Sequence, residues 1–531
     1  MDLSSVRKTI RFPGDSPLSP ALVLFIIWGL VTKFFISLNL RLDSDAVGMG
    51  LISMEIGKHH NYLLSGYHLL SSDSLVFTEL VPFHLVPQIL TNYNPMTLKI
   101  MVFFLFILSV LAAAYLVWFV SGDILSALLF AALAANIPPE GYFWLAYPTS
   151  HNATILFGTA ILIIVFSLHR FIDDQKGNSQ KTRKKKMHET HTLPWSYLLT
   201  LVTLVFLSVF SDTIILVWVL IPYGIAYFLF FRSANRRMDG VVASVAITAV
   251  VAYILKTYFM PDWIKANYAV NSIPDIIFVN IPLLFKAQLL FLNHGLSALT
   301  DRTASIGPAE ILSAVFFTGV IFYTVKFAWN QRLNNAPQKR LFYAVLLISV
   351  LMMVVSFLVS GYVYDIGGAR YLTFTALALL MLVAVSCPFT EKICVFFILS
   401  LLIVSAIAGS IHLSTINTSP NEREYDLIGY LKGQNLTYGY GTYWDSNVIT
   451  YLSGEAITIR STYIMPDDLM PDLLNSCDRW FTGRPDRFFL IYDSTRPTDE
   501  AQKNFPMVVK SANTSRVLHY RNYEVLPVDS A

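Results

Sequence analysis

The chain has 531 residues, of which 14% are charged and 55% are apolar, and its mean hydropathy is +0.55. Because soluble domains carry about 25% charged residues, this composition excludes a soluble enzyme, a disordered chain and a fibrous protein. A net charge of +3 is too small to indicate a nucleic-acid partner. The composition therefore predicts a polytopic membrane protein.

Apolar stretches that could cross a bilayer recur along the first 412 residues. A membrane-spanning helix needs roughly 20 apolar residues. Eleven stretches approach this length, at 18–40, 99–121, 123–138, 152–168, 195–210, 213–231, 240–258, 309–329, 341–361, 371–387 and 393–412. The first is too long for a cleavable signal peptide and no small-residue cleavage site follows it, so we expect it to remain as the first span.

The positions of Lys and Arg indicate the orientation of these spans. With the N-terminus in the cytoplasm, the inside connections carry 18 Lys and Arg residues and the outside connections carry 6. The basic run KTRKKK at 181–186 then lies in an inside loop, and we expect it to set the topology, with contact to anionic lipid as a further option. We therefore expect a multi-pass protein of the cell membrane, with a cytoplasmic N-terminus and an extracytoplasmic C-terminus.

The composition changes after residue 412. Residues 413–531 contain 26 charged residues. The segment YDLIGYLKG at 425–433 predicts a short helix, while AITIR, RFFLIYD and RVLHYRNYEVLPV predict strands between polar turns. We expect a membrane domain over 1–412 and a soluble α/β domain over 413–531. The second has no Gly-rich phosphate loop, so we expect it to be accessory to the chemistry.

Two long loops lie on the predicted outside, at 41–98 and 259–308. The second contains DIIFVNIPLLFKAQLLFL at 275–292, which predicts an amphipathic segment lying in the membrane interface. Long structured loops on one face of a scaffold are a frequent place for functional sites.

Two acids open the first of these loops, directly after the first span. Asp43 and Asp45 lie within a few residues of the bilayer. Carboxylates there are costly unless they are solvated, paired or used. The simpler alternative is two solvated loop acids, with Ser44 and Asp45 capping a following helix.

Further polar residues lie at span ends on the same predicted face. They are Glu79, His151, Asn152, Asp212 and Arg370. Each alone has an ordinary explanation, since a terminal arginine often reaches lipid headgroups and a loop histidine is often merely solvated. Together they supply acids, a histidine and an arginine, which could deprotonate an acceptor beside a bound lipid phosphate.

The order of these pieces resembles the GT-C class of membrane glycosyltransferases, which use polyprenyl-phosphate sugars. The nearest branch is that of the protein O-mannosyltransferases and the aminoarabinose lipid A transferases. The similar segments are DSDAVGMGLISMEI, SGYHLLSSDSLVFTELVPFHLVPQIL, HN at 151–152, SD at 211–212, ARYL at 369–372 and LTYGYGTYWDSNVITYLSGEAITIR. Many members read Asp-x-Asp-Glu-Ala at the first position, where this chain has Ala46 in place of Glu.

This resemblance implies an α-helical polytopic membrane fold of about 11 helices with a C-terminal α/β extracytoplasmic domain. It also implies a dolichyl- or undecaprenyl-phosphate sugar as donor, and a protein, lipid or glycan as acceptor. The sugar would be transferred with inversion on the outside face of the membrane.

Roles for single residues follow from the same resemblance. Asp45 would be the general base, with Asp43 as the alternative, and Glu79 would position the acceptor or the base. Arg370 would bind the donor phosphate. His151, Asn152 and Asp212 would line the cavity. No nucleotide or organic cofactor is expected, and a divalent cation stays open, since Asp43, Asp45 and Glu79 would suit Mg²⁺ or Mn²⁺.

Three other classes of protein remain as alternatives. A secondary transporter would show paired repeats and broken spans near the midplane, and neither is visible. A polysaccharide polymerase or ligase would also use outside loops and arginine, so the identity of the donor separates it. A non-enzymatic assembly protein would tolerate substitution of the loop acids.

Overall fold

The computed structural model describes residues 18–529 except 70–74, 182–194, 231–235, 260–269, 293–336, 362, 364, 388, 390–391, 466–468, 484, 496–503, 506 and 508–516. The predicted span 309–329 therefore lies outside the described residues, as does all but the first residue of the basic run 181–186.

Helices make up the part of the chain before the tail. In order they are α1 (Leu18–Leu38), α2 (Gly48–Gly57), α3 (Val76–Leu90), α4 (Pro95–Ser121), α5 (Ile124–Ala135), α6 (Pro139–Leu145), α7 (Asn152–Lys181), α8 (Trp195–Ser211), α9 (Leu216–Phe230), α10 (Arg236–Phe259), α11 (Ile273–Phe291), α12 (Pro337–Val359), α13 (Thr373–Ser386) and α14 (Lys392–Thr415). A 3-10 helix, Ile366–Leu372, leads into α13. Much of α3 and short parts of α9 and α11 are wound as π-helix.

The prediction of a multi-pass membrane protein is confirmed. Within the described residues, eight helices are long and apolar enough to cross a membrane, or nine if one bent pair counts as a span. The predicted spans at 195–210 and 213–231 are the shorter apolar helices α8 and α9. The number eleven itself is not confirmed.

The predicted span 123–138 is not one straight helix. Helix α5 ends at Ala135, and the chain then bends by 98° between α5 and α6. Pro138 and Pro139 lie at the turn, and because proline has no N–H it cannot continue the helical hydrogen bonds. The ammonium of Lys33 donates to the carbonyl of Ile137, which the turn leaves without a helical partner. The bend directs α6 and the loop after it toward the candidate site.

The segment 275–292, predicted to lie in the interface, falls almost wholly within α11. Four of its large apolar side chains are exposed, as contact with lipid requires, namely Ile277, Phe278, Val279 and Phe285. The amide of Asn280 is buried and donates to the carbonyl of Leu358 over 2.7 Å, which holds α11 against the end of α12. The helix is also long and apolar enough to cross a membrane.

The tail is an α/β unit, as predicted. Its helices are α15 (Glu422–Gly433) and α16 (Tyr443–Leu452). With β1 (Tyr67–His68) counted in the first loop, the tail strands are β2 (Tyr438–Gly441), β3 (Thr458–Ile464), β4 (Leu469–Pro471), β5 (Ser476–Cys477), β6 (Arg487–Asp493), β7 (Leu518–Tyr520) and β8 (Tyr523–Asp529). Six of them form one sheet in the order β4-β3-β2-β6-β8-β7. Strand β2 runs parallel to both of its neighbours, and the other pairs are antiparallel.

Helix α2 of the first loop shares a hydrophobic core with the tail. Leu51 of α2 is buried in one cluster with Ile449 of α16 and Ile491 of β6. The two helices approach so closely that a Cβ on Gly50 would lie 2.2 Å from the ring of Tyr451. Only glycine fits there, which explains the small residue in the GMG sequence of α2.

Hydrogen bonds join the loop to the tail as well. Strand β1 pairs with β5 in an antiparallel two-stranded sheet. The side-chain amide of Asn421 bonds to both backbone groups of Leu42, over 3.0 and 2.7 Å, and Arg41 pairs with Glu424 over 2.7 Å. The turn that carries the two acids is therefore held between the end of α1 and the tail.

Candidate active site

Asp43 organises the turn between α1 and α2. One of its carboxylate oxygens, Oδ1, accepts hydrogen bonds from the backbone N–H of Ala46 over 2.9 Å and from the hydroxyl of Tyr147 over 2.5 Å. The alternative in which Ser44 and Asp45 cap a helix is wrong, because α2 has no side-chain cap. The hydroxyl of Ser44 instead donates to the carbonyl of Tyr443 in the tail over 2.7 Å.

Asp45 lies half-buried beside Asp43 and accepts a 2.6 Å hydrogen bond from the hydroxyl of Tyr443 in the tail. Burial raises the pKa of Asp45, and the charge of Asp43 adds to this, while the bond from Tyr443 and the positive charge of Arg370 act in the opposite direction. The outcome is a raised pKa. A carboxylate that binds a proton more tightly than usual suits a general base.

Two tyrosine hydroxyls remain donors beside these acids. Burial, together with the negative charges of Asp43 and Asp45, raises the pKa of both Tyr147 and Tyr443. Their protons therefore stay in place at any physiological pH. Each tyrosine fixes one carboxylate of the pair.

Arg370 supplies positive charge next to the pair of acids. It lies in the 3-10 helix Ile366–Leu372, which Asp365 caps by accepting from the N–H of Gly367 over 2.8 Å. Its guanidinium donates to the hydroxyl of Tyr371 over 3.3 Å, and its Nε is buried with no acceptor among the described residues. No carboxylate among the described residues forms an ion pair with Arg370. A bound oxyanion could accept hydrogen bonds from these unused N–H groups.

Glu79 is fully buried in α3 and holds a neighbouring loop. Its Oε1 accepts from the backbone N–H of Thr149 over 3.2 Å and is 3.3 Å from Nε2 of His84. Its other oxygen has no hydrogen-bond partner among the described residues. The start of α3 is in turn tied to α8, because the N–H of Leu75 donates to the carbonyl of Ser211 over 3.1 Å.

His151 and Asp212 form a buried pair on the other side of that loop. Nδ1 of His151 is 2.7 Å from a carboxylate oxygen of Asp212, which also accepts from the hydroxyl of Thr154. The imidazole lies 5.8 Å from the ring of Tyr371, measured between centroids. Asn152 donates to the carbonyl of Tyr147 over 2.9 Å. The pair therefore adjoins the residue that contacts Arg370.

One short segment, 147–152, joins all of these groups. Thr149 and His151 both have left-handed backbones, with φ of 76° and 64°. This conformation is rare outside glycine and costs roughly 1–3 kcal/mol for each residue. The hydrogen bonds to Glu79 and Asp212 hold the segment in this form, and strain of this kind is concentrated at functional sites.

The structure thus brings Asp43, Asp45 and Arg370 together, and it places His151, Asn152, Asp212 and Glu79 around the adjoining segment 147–152. It adds three tyrosines that the sequence analysis missed, Tyr147, Tyr371 and Tyr443. Tyr371 lies inside the ARYL motif and Tyr443 inside the similar tail segment. The motifs that resemble the GT-C class therefore contain both tyrosines.

The residues suggested for a divalent cation do not fit one. Among the described residues, no three or more His, Cys, Asp or Glu side chains are gathered as a metal site requires. Glu79 bonds to Thr149 and lies against His84, away from the pair formed by Asp43 and Asp45. We therefore derive no step through a metal ion.

No protein-family model matches the sequence, and no curated protein sequence matches it. Among solved structures, the chain is similar to ArnT from Cupriavidus metallidurans bound to undecaprenyl phosphate. The identity is 12% and the TM-score is 0.54, over 96% of this chain and 98% of that one.

A weaker likeness is found to the oligosaccharyltransferase of Archaeoglobus fulgidus. The structure tethered to an acceptor peptide with an NVT sequon has 13% identity and a TM-score of 0.46, over 92% of this chain and 70% of that one. The AglB complex with an inhibitory peptide and a dolichol-phosphate has 15% identity and a TM-score of 0.46, over 81% and 63%. The assignment of the fold rests on ArnT, which matches along nearly its whole length. The chain therefore has the fold of the GT-C membrane glycosyltransferases, as its loop motifs predicted.

Proposed function

We propose that this chain is an integral membrane glycosyltransferase that moves a sugar from a polyprenyl-phosphate donor to an acceptor hydroxyl on the extracytoplasmic face. The observation that carries the proposal is the grouping of Asp43 and Asp45 with Arg370, whose N–H groups are largely unused, at the junction of the helical bundle and the tail. The ArnT fold, in a structure that contains undecaprenyl phosphate, supports this donor class.

In this proposal Asp45 is the general base. Its carboxylate accepts the proton of the acceptor hydroxyl, and the resulting oxygen forms a bond to the anomeric carbon. The bond from that carbon to the phosphate oxygen breaks on the opposite face, so the configuration inverts. The electron pair goes to the phosphate, and polyprenyl phosphate leaves.

Asp43 has a supporting role. One of its oxygens accepts hydrogen bonds from the N–H of Ala46 and the hydroxyl of Tyr147, which holds the turn that carries Asp45. Its negative charge favours the protonated form of Asp45 and so assists the proton transfer.

Arg370 binds the departing phosphate. A guanidinium can form two parallel hydrogen bonds with phosphate oxygens, and a buried donor without an acceptor gains most from such a ligand. The side chain lies close enough to Asp45 for the two charges to interact. The anomeric carbon would then lie between the base and the phosphate site.

The remaining residues position these groups. Glu79 holds the backbone of Thr149, and Asp212 holds His151 against Tyr371. We therefore assign Glu79, His151, Asn152 and Asp212 to the support of segment 147–152 and of Arg370, so that Glu79 does not itself bind the acceptor.

The test measures release of polyprenyl phosphate from purified protein supplied with a panel of polyprenyl-phosphate sugars and with protein, lipid and glycan acceptors. Asp45→Asn should lose about 10²–10⁴-fold in rate, as is typical for loss of a general base. Asp426→Asn is the matched control, because Asp426 is an exposed acid paired with Arg521 in the tail.

The outcomes separate the alternatives. Loss of transfer in Asp43→Asn but not in Asp45→Asn would make Asp43 the base and leave the enzyme class standing. Use of diphosphate-linked donors alone would indicate a polymerase or ligase. If neither acid matters, the mechanism fails, and a transporter or an assembly protein becomes the better description.

A further inference from the structure

A second cavity lies where the first loop meets the tail. It has a volume of about 480 Å³ and is lined by His59, Tyr438, Arg460, Arg479, Trp480 and Thr482. None of these residues belongs to the acid pair or to the segment 147–152. The volume falls within the range of about 300–1,000 Å³ that is usual for small-molecule sites.

Arg460 is held rigidly on one side of this cavity. Its guanidinium stacks on the ring of Trp480 at 4.3 Å from the centroid, and it lies close enough to the hydroxyl of Tyr438 to interact with it. That hydroxyl also donates to the carbonyl of Trp480 over 3.3 Å. A planar guanidinium fixed in this way loses little entropy when it forms paired hydrogen bonds to an oxyanion.

The charges of Glu455 and Glu55 act on Arg460, but neither carboxylate forms an ion pair with it. Its Nε is buried and has no acceptor, and no carboxylate in the described part of the chain forms an ion pair with it. Burial lowers the pKa of Arg460. A buried N–H donor without an acceptor is unfavourable, so a bound anion that accepts from Nε would relieve it.

The other charges around the cavity are already paired. Arg479 forms a fork with the fully buried Glu55, with distances of 2.7 and 2.6 Å. At the rim, Glu455 pairs with His59 over 2.8 Å and with Lys58 over 3.4 Å. Among the described residues, the cavity therefore offers one positive charge without an ion-pair partner, together with neutral donors and acceptors.

We propose that this cavity binds an acidic sugar, through the carboxylate or phosphate group that the sugar carries. Arg460 takes the oxyanion, while Tyr438, Thr482 and His59 provide hydrogen bonds for ring hydroxyls. We further infer that the sugar is part of the acceptor substrate, and this second step rests on the proposed glycosyltransferase function.

The position of the cavity fits an acceptor subsite. Asp45 lies just before α2 and Glu55 lies near its end, and ten residues of helix span roughly 15 Å. An acceptor glycan long enough to bridge this distance, with its acidic unit at Arg460, could present a hydroxyl to Asp45. The tail would then select the acceptor, and the membrane part would hold the donor.

The test uses a pair of variants that differ only in charge. Thr482 is exposed and lines the cavity, so Thr482→Glu and Thr482→Gln should both fold. Binding of glucuronate, glucose 6-phosphate and neutral glucose to the purified full chain is measured by ligand-observed NMR titration. We expect Thr482→Glu to bind at least one of the two acids about tenfold more weakly than Thr482→Gln, with no difference for glucose.

Comparison of the two acids shows whether the natural group is a carboxylate or a phosphate. The proposal is overturned if neither acid binds the wild-type chain more tightly than glucose, or if the Glu and Gln variants bind both acids equally. Arg460→Lys keeps the charge but cannot form two parallel hydrogen bonds to an oxyanion, so it should also weaken binding.

Catalysis is tested separately. With an acidic acceptor, Thr482→Glu should raise KM relative to Thr482→Gln and leave kcat unchanged. Asp45→Asn should still bind the acids although it cannot transfer sugar. Binding without any transfer from polyprenyl-phosphate donors would overturn the proposed function while supporting the acidic-sugar site.

Discussion

Asp45 has two unlike neighbours, a tyrosine hydroxyl and a second carboxylate. Tyr443 stabilises its charged form and Asp43 destabilises it, while burial raises its pKa above the usual value for aspartate. Since a base must be unprotonated to act, activity should be lost as the pH falls through this raised pKa. The acidic limb of the pH profile should therefore lie above about pH 3.9, the reference value for aspartate.

Replacement of Tyr443 tests this assignment. Tyr443→Phe removes a hydrogen bond to the charged carboxylate, so the pKa of Asp45 should rise further and the acidic limb of kcat/KM should move to higher pH. Tyr425→Phe, at an exposed tyrosine of the same tail, should leave the profile unchanged. An unmoved limb in the Tyr443 variant would show that another group controls the rate.

The substitution Arg370→Lys tests whether this arginine binds the donor phosphate. Lysine keeps the positive charge but cannot form two parallel hydrogen bonds, so we expect transfer to fall at least about tenfold with expression unchanged. Arg521→Lys, in an exposed ion pair of the tail, is the control. Full activity of the Arg370 variant would leave only contact with lipid headgroups as its role.

At the scale of elements, α2 is fastened to the tail by the buried carboxylate of Glu55. Burial alone would raise its pKa, but the hydrogen bonds from Arg479, Asn61 and Trp480 hold the pKa below the usual value. A group with a lowered pKa in the folded state stabilises the fold above its unfolded pKa, about 4.3 for Glu. That stability is lost as the pH falls through the lower folded value.

Glu55→Gln should therefore destabilise the junction by about 2 kcal/mol at neutral pH, the range for hydrogen bonds to charged groups. Thermal unfolding followed by tryptophan fluorescence would report it, because Trp480 donates to Glu55 over 3.2 Å. The exposed pair of Asp426 and Arg521 is the control, and Asp426→Asn should change stability by less than about 1 kcal/mol. Equal effects from the two substitutions would show that the buried ion pair of Glu55 with Arg479 adds no more stability than an exposed one.

Local patterns predicted the elements well where neighbours in sequence decide them. The short apolar run in RFFLIYD gave β6, and the pattern of YDLIGYLKG gave the second part of α15. The bend between α5 and α6 was missed because hydropathy does not distinguish Pro138 and Pro139 from a straight span. The packing of Gly50 on Tyr451 depends on segments about 400 residues apart, and no local periodicity contains that information.

At the scale of the whole molecule, the orientation in the membrane remains a prediction from the distribution of Lys and Arg. With eleven spans, the 18 inside residues against 6 outside predict that the tail lies on the extracytoplasmic side. A reporter fused after Ala531 should therefore behave as extracytoplasmic, and a second reporter at the N-terminus should behave as cytoplasmic. A cytoplasmic signal from the C-terminal fusion would place every proposed site residue on the wrong face.

The motifs predicted the GT-C fold and the identity of the charged residues in the candidate site, because a few acids and an arginine on one face are visible in sequence. They did not predict that Asp45 meets the tail. The tail was expected to be accessory, yet Tyr443 contacts the proposed base directly. Complementary contacts between distant segments arise only from the packed fold, so sequence order alone could not reveal them.

The bond between Asp45 and Tyr443 joins residues that are 398 positions apart. A ribosome adding about 5–20 residues each second needs roughly 20–80 s to travel between them. During that interval the first loop has left the ribosome, but its acids lack the tyrosine and the hydrophobic cover that complete their surroundings. In the proposed mechanism the surroundings of the base are therefore incomplete until Tyr443 has folded against the first loop, and a product terminated before residue 443 lacks this contact.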